Sequence, residues 1–189
     1  MTTPDVTAPY ERAAANFRQV LANISKDDLD TQSPCQSWKV QDVITHLVEG
    51  GDFFVTSVGG EASGAGARAV ADDHEAAFNA TSERILNAFN QPGALDKEVD
   101  LPFGRMPASV LVGIATTDTF THAWDIARAT GQPTDLDPEF AGELLARAKS
   151  PITDDVRGPD GTTLFGPEQH APEGAPAADQ LAAFLGRVV

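Results

Sequence analysis

The sequence predicts an all-α protein, a four-helix bundle with an additional short helix and a loop-rich C-terminal tail. Three observations carry this prediction. Apolar residues recur at three- and four-residue steps in four long segments, as they do on the buried face of a helix. Connections that contain proline and glycine separate these segments. No part of the chain shows the sustained alternation of apolar and polar residues that is typical of a half-buried strand. Four such helices bury their apolar stripes by packing around a common core.

The first helix is predicted over about 9–24 and the second over about 40–58. Pro9 suits a helix start, because the N–H that proline lacks has no partner at that position anyway. The pair Gly50-Gly51 interrupts the second helix, which lowers its helix propensity and indicates a place of close packing. The polar, proline-containing stretch 27–37 connects the two helices.

The third helix is predicted over about 70–90 and the fourth over about 107–130. A glycine-rich segment, 59–67, precedes the third helix and is expected to be a flexible loop. Between the two helices, residues 94–106 alternate weakly and are expected to contain an extended piece. These boundaries rest on helix-ending residues, chiefly proline and glycine, at the ends of each apolar stripe.

The C-terminal part is predicted to differ in character from the bundle. A fifth, shorter helix starts at Asp137-Pro138-Glu139 and runs to about Lys149. Beyond it the chain is rich in loops, with a last helical turn or two at 179–185. With 189 residues, a single domain over 9–189 is expected, preceded by a short disordered leader over 1–8.

The charge balance and the absence of long apolar runs limit the classes of function. Lys and Arg number 13 against 28 Asp and Glu, so the net charge is −15. Such a chain is poorly suited to neutralise nucleic-acid phosphates or to dock on anionic membranes. No apolar run approaches the ~20 residues of a membrane span, and no signal peptide is visible. We therefore expect a cytoplasmic protein without nucleic-acid or membrane partners.

The most informative stretch lies on the fourth predicted helix. Asp118 and His122 are four residues apart, so their side chains share one helix face and can bind one metal ion. Asp125 follows on the same stripe, where its carboxylate could orient a liganding imidazole. The same spacing is also common on solvated helix faces that bind nothing. Arg128 offers a different interpretation of Asp125, as the partner of a structural ion pair.

A third ligand is required to complete such a site. His46 lies at the margin of the apolar face of the second helix, which suits either a ligand or a histidine at the edge of the core. Three protein ligands with one position left to water or substrate describe a catalytic type of site. His74 is a weaker candidate for a fourth ligand, and His170 is expected to be exposed. Cys35, the single cysteine, excludes an internal disulfide and has no adjacent base that would make it a nucleophile.

Two segments resemble motifs of a known family. Residues 38–48, WKVQDVITHLV, preceded by Pro34-Cys35, resemble the opening motif of the actinobacterial DinB-like metal-binding proteins. This family includes the N-terminal domain of mycothiol-dependent maleylpyruvate isomerase. Residues 122–131, HAWDIARATG, resemble its second motif. The order and separation of the two motifs also fit.

The resemblance implies a DinB/YfiT-like four-helix bundle that holds a divalent metal, with zinc or nickel as the usual occupant. The matching ligand positions are His46, Asp118 and His122, with Asp125 orienting His122. The isomerase-like members carry Glu at the position of Asp118, where this chain has the shorter Asp.

The chemistry that the resemblance implies is thiol-dependent. A low-molecular-weight thiol such as mycothiol would bind the metal as thiolate and attack a small electrophile, in a transferase or isomerase reaction. The alternative is a non-catalytic metal-binding or stress-response protein of the same fold. An outer helix face could also support a homodimer.

Overall fold

The structure, a computed structural model, describes residues 5–35, 37–101, 104–159 and 162–189. Within these ranges the chain forms seven α-helices and one two-stranded antiparallel sheet, which confirms the all-α prediction. The helices are α1 (Ala8–Leu21), α2 (Val40–Ser57), α3 (Ala67–Asp72), α4 (His74–Phe89), α5 (Ser109–Ala129), α6 (Pro138–Ala148) and α7 (Ala177–Phe184). The strands are β1 (Glu98–Leu101) and β2 (Gly104–Pro107), and Val99 pairs with Met106 in their register.

The chain divides into two compact units, Met1–Asn23 with Ile44–Phe120 and Ile24–Val43 with Thr121–Val189. Both boundaries fall inside continuous helices, α2 and α5, so that each of these helices contributes to both units. The expectation of a single domain over 9–189 therefore stays a prediction. Of the expected leader, residues 1–4 lie outside the described residues, whereas Thr7 is buried and Ala8 already belongs to α1.

The first unit contains α1, α4 and parts of α2 and α5 around one apolar core. Side chains from α1, α2, α4 and α5 meet in this core, including Tyr10, Phe54, Phe89 and Leu111. The strands contribute Val99 and Leu101 to it. This packing is the reason the three- and four-residue spacing of apolar residues predicted α1, α2 and α5 correctly.

The third helix differs from its prediction because it is two helices. Asp73 has an extended backbone and accepts a hydrogen bond from the backbone N–H of Ala76 at 2.9 Å, which caps α4. Aspartate is among the preferred N-cap residues because its carboxylate accepts a backbone N–H that would lack a partner. The apolar stripe continues past this break, so periodicity alone did not reveal it.

The glycine-rich segment 59–67 is tied down, contrary to the expectation of a flexible loop. The carboxylate of Asp52 accepts the backbone N–H groups of Ser63 and Gly64, both at 2.8 Å. Arg84 on α4 binds the same carboxylate at 2.8 Å and donates to the carbonyl of Glu61 at 2.7 Å. Burial would raise the pKa of Asp52, but these hydrogen bonds outweigh it and hold the pKa well below its usual range.

The second unit is built on the C-terminal end of α5, with α6 packed against α7. The fifth helix and the last helix are thus confirmed as α6 and α7, although α7 begins two residues earlier than predicted. The indole Nε1 of Trp124, on α5, donates to the carboxylate of Asp179 on α7 at 2.7 Å. Within the described residues, no helix combines the length and the hydropathy needed to cross a bilayer.

Candidate functional site

In the first unit, His46 on α2 lies against Asp118 on α5. Its Nε2 is 3.2 Å from Oδ2 of Asp118 and 3.4 Å from Oδ1. The two side chains are 37% and 31% exposed, so solutes can reach them. His46 holds this position because Val43 and Leu47, on either side of it in the helix, are buried in the core. The sequence therefore placed His46 correctly at the margin of the apolar face.

The spacing of this pair fits a shared metal ion. Ligand atoms that are each about 2.0–2.2 Å from a tetrahedral ion lie about 3.3–3.6 Å from one another. Nε2 of His46 is 3.4 Å from Oδ1 of Asp118, inside this range, and 3.2 Å from Oδ2, just below it. One imidazole nitrogen and one carboxylate oxygen are donors that zinc and nickel accept. His74, the weaker candidate for a fourth ligand, is in no group of possible metal ligands among the described residues.

In the second unit, His122 is held by Asp125, one turn further along α5. The ring Nδ1 of His122 lies 2.8 Å from Oδ2 of Asp125, and both side chains are buried. A carboxylate at Nδ1 fixes the orientation of an imidazole and directs its Nε2 away from that carboxylate. The spacing of the two residues on the helix predicts this relationship.

The partner of Asp125 is Arg187, and the alternative that assigned Arg128 to this role is wrong. Arg128 is exposed on the surface of α5. Arg187 reaches Asp125 with two donors, Nε at 3.2 Å from Oδ1 and Nη2 at 2.9 Å from Oδ2. Burial would raise the pKa of Asp125, but the charge of Arg187 and the hydrogen bond with His122 lower it to about 2. Asp125 is therefore a buried carboxylate ion.

Cys35 belongs to this same group of side chains, which the sequence did not indicate. Its Sγ lies 3.4 Å from Oδ2 of Asp125 and 3.6 Å from Nη2 of Arg187. Ligand atoms of Cys35, His122 and Asp125 lie within 4.8 Å of one another, as in a metal site. The guanidinium group of Arg187 contacts two of these three residues, so a cation bound among them would meet a positive charge. We therefore interpret the group as a support for His122.

The two tryptophans lie in different surroundings. Trp124 is buried, with 1% of its surface exposed. Trp38 is half-buried, and its ring packs on the imidazole of His122 with 5.7 Å between the ring centroids. His170 is exposed, as predicted.

Sequence reasoning missed Arg187, although one local signal was present. Gly186 has a positive φ of 98°, and its N–H binds the carbonyl of Ala183 while the N–H of Arg187 binds that of Ala182. This is the Schellman ending of a helix, for which glycine is preferred. The signal predicts where α7 ends, but it does not predict that the following arginine reaches Asp125.

Imidazole and carboxylate donors at this spacing on two helices also occur in helical bundles that build a metal centre from facing helices. The sequence matches the model of one family, the mycothiol maleylpyruvate isomerase N-terminal domain, over residues 10–127. The chain belongs to this family.

Known relatives extend the likeness to nearly the whole chain. Two proteins from Mycobacterium tuberculosis, from strains CDC 1551 / Oshkosh and H37Rv and both described as uncharacterized, are each 41% identical to it. Each alignment covers 98% of this chain and 99% of the relative. Among solved structures, the mycothiol-dependent maleylpyruvate isomerase has the same fold, with a TM-score of 0.59 and 17% identity. That alignment covers 77% of this chain and 71% of the isomerase.

Proposed function

We propose that this protein binds one divalent metal ion through His46, Asp118 and His122. We further propose that it acts as a thiol-dependent isomerase or transferase on a small electrophile, with mycothiol as the thiol. The observation that carries the proposal is the spacing of 3.2–3.4 Å between Nε2 of His46 and the carboxylate of Asp118. This is close to the separation of about 3.3–3.6 Å between two ligands of one tetrahedral ion.

The third ligand of the proposal is His122. It lies one turn beyond Asp118 on the same helix, and residues four apart on a helix project from one face. Two imidazoles and one carboxylate form the ligand set of many catalytic zinc sites, in which a further position is left for water or substrate. Nickel accepts the same donors.

The side chains around the proposed ligands suit a reaction of a small solute. When bound, the ion would lower the pKa of a coordinating thiol and supply the nucleophilic thiolate. His46 and Asp118 are about one third exposed and leave a path for that thiol. Asp125, buried and ionised, holds Nδ1 of His122 and thus orients its ring.

Family membership supports the choice of thiol and substrate class. The family is that of the mycothiol maleylpyruvate isomerase N-terminal domain. The solved structure of the same fold is a mycothiol-dependent maleylpyruvate isomerase. Mycothiol and maleylpyruvate are therefore the first thiol and the first electrophile to test. A small-molecule thiol and a small electrophile are the partners that this proposal requires.

The metal is tested first, on protein purified without a chelator or a nickel column. Mass spectrometry should find about one zinc or nickel per chain in the wild type. The His46→Ala and His122→Ala variants should each lose the ion. The matched control is His170→Ala, because His170 is exposed in the C-terminal tail. A wild type that holds no metal and takes up neither zinc nor nickel on titration would contradict the proposal.

The reaction is tested on the metal-loaded protein. Mycothiol is mixed with maleylpyruvate and then with a panel of small electrophiles, and the consumption of both reactants is followed. We expect turnover in the wild type and in His170→Ala, and none in His122→Ala. Metal binding without turnover on any electrophile would overturn the enzymatic part and favour a non-catalytic metal-binding protein.

A further inference from the structure

We infer that Arg187 is a positioning residue for the metal ligand His122 and that it acts through Asp125. The inference rests on the proposed function, because it assigns a support to one of the proposed ligands. Arg187 lies 62 positions from Asp125 in the chain, and its side chain is only 15% exposed. It follows α7, in the C-terminal tail that is predicted to be loop-rich.

The contact between Arg187 and Asp125 fixes the plane of the carboxylate. Two guanidinium donors reach two carboxylate oxygens, Nε to Oδ1 at 3.2 Å and Nη2 to Oδ2 at 2.9 Å. Such a paired contact has one favourable geometry, whereas a single hydrogen bond lets a carboxylate rotate. Because Asp125 is fully buried, water cannot replace the guanidinium as its partner.

The fixed carboxylate in turn determines the orientation of the His122 imidazole and which of its ring nitrogens carries the hydrogen. Oδ2 of Asp125 lies 2.8 Å from Nδ1 of His122, so the neutral ring carries its hydrogen on Nδ1. Nε2 then has the lone pair that a metal requires. The ring of Trp38 packs on the same imidazole and limits its tilt. Arg187 therefore acts two contacts away from the nitrogen that we propose as the ligand.

The backbone that carries Arg187 is itself held in place. Its N–H donates to the carbonyl of Ala182 at 2.9 Å, and its Nη1 donates to that of Leu185 at 3.1 Å. Gly186 permits the turn, since it has a φ of 98° and a Cβ there would meet the backbone of Gly166 at 2.7 Å. The turn at the end of α7 thus places the side chain of Arg187 beside Asp125.

A second buried arginine in the same unit provides a matched control. Arg157 donates to the carbonyls of Phe184 and Gly166 at 2.6 and 3.1 Å, and its guanidinium lies over the ring of Phe184. It anchors the C-terminal segment as Arg187 does, and no contact joins it to Asp125 among those that the structure shows. An effect through general loosening of this segment should therefore appear in Arg157 variants as well.

The test compares Arg187→Ala, Arg187→Lys and Arg157→Met with the wild type. The first measurement is nitrogen-15 NMR of His122 in the metal-free protein, which distinguishes a hydrogen on Nδ1 from one on Nε2. We expect Nδ1–H in the wild type and in Arg157→Met, and a mixture of the two forms in Arg187→Ala. Arg187→Lys keeps the positive charge but cannot donate two parallel hydrogen bonds to one carboxylate. Its fraction of the Nδ1–H form should therefore lie between those of the wild type and Arg187→Ala.

The second measurement is zinc affinity by competition with a chelating dye. Loss of a residue that orients a metal-binding histidine costs about 10–100-fold in affinity. We expect a loss of this size in Arg187→Ala and a change below about threefold in Arg157→Met. Thermal unfolding of each variant is measured in parallel to show that it folds. If Arg187→Ala does not fold, Arg187→Lys replaces it in both measurements.

The inference is overturned if Arg187→Ala keeps both the wild-type hydrogen position on His122 and the wild-type zinc affinity. It is also overturned if Arg157→Met changes both by as much as Arg187→Ala does. Failure of the proposed function would look different. The wild type would then bind no zinc, while the NMR measurement on metal-free protein would still decide whether Arg187 positions His122.

Discussion

Nε2 of His46 and Oδ2 of Asp118 lie 3.2 Å apart, each on a different helix of the first unit. Neither side chain is fully buried, so the core does not require this pair for its packing. A histidine and an aspartate brought together at the margin of an apolar core are well placed to bind a ligand that reaches them from solvent.

Asp118→Asn should weaken zinc binding by at least about tenfold, because the amide keeps the shape of the side chain but loses the charge that a zinc ligand supplies. The dissociation constant of the metal is measured by competition. Asp96→Asn serves as the control, since Asp96 is an exposed aspartate of the same unit. An unchanged dissociation constant in Asp118→Asn would remove Asp118 from the ligand set.

Gly51→Ala should be less stable than Gly50→Ala by about 1–3 kcal/mol, the usual cost of overpacking. Both substitutions gain the helix propensity of alanine, so their difference isolates the packing. A Cβ at Gly51 would clash with the methyl group of Thr81 on α4, whereas one at Gly50 meets nothing within 4 Å. Urea unfolding gives both free energies of unfolding.

The double variant Gly51→Ala with Thr81→Ala checks the cause of that difference. Removing the methyl group of Thr81 should recover part of the stability that Gly51→Ala loses. If Gly51→Ala and Gly50→Ala are equally stable, the close approach of α2 to α4 at this point is not a constraint on the fold.

Asp52→Asn should lower the free energy of unfolding by about 1–2 kcal/mol at pH 7, since Asp52 holds the 59–67 segment by charge-assisted hydrogen bonds. The pKa of Asp52 is lowered in the folded protein. Its contribution is therefore present above the unfolded pKa of about 3.9 and is lost as the pH falls through the folded pKa. The difference between wild type and variant should shrink below about pH 4. Urea titrations at several pH values measure it, and a difference independent of pH would contradict this account.

Asp179→Ala should destabilise the protein by about 1–3 kcal/mol, because the buried indole N–H of Trp124 loses its acceptor. Asp179→Asn keeps an acceptor oxygen and should cost at most about 1 kcal/mol, mainly for the lost charge near the start of α7. Thermal unfolding followed by circular dichroism compares the two. Equal losses would mean that the charge, and not the hydrogen bond, matters.

Most of the helices, and the contact between His122 and Asp125, were predictable because each depends on local spacing. The apolar stripes predicted α1, α2 and α5. The four-residue step from Asp118 to His122 predicted that both residues lie on one face of the same helix. The three-residue step from His122 to Asp125 gave a contact that the structure confirms at 2.8 Å. In each of these cases the pattern that carries the prediction repeats within one or two helical turns.

Local residue spacing could not predict contacts between residues that are far apart in the sequence. Asp125 was given a neighbour in sequence, Arg128, as its alternative partner, whereas its partner lies 62 positions away. The contact of Cys35 with Asp125 spans 90 positions. Only the tertiary fold brings such residues together, because no periodicity relates their positions.

The family match ends at residue 127, while the arginine that holds Asp125 comes from a segment well beyond it. Proteins sorted into this family on the matched segment alone can therefore share the histidine and aspartate positions and still differ in what holds them. A glycine followed by arginine after the final helix is a simple feature by which members could be subdivided. We expect the two subgroups to differ in how tightly, and how selectively, they retain a metal ion.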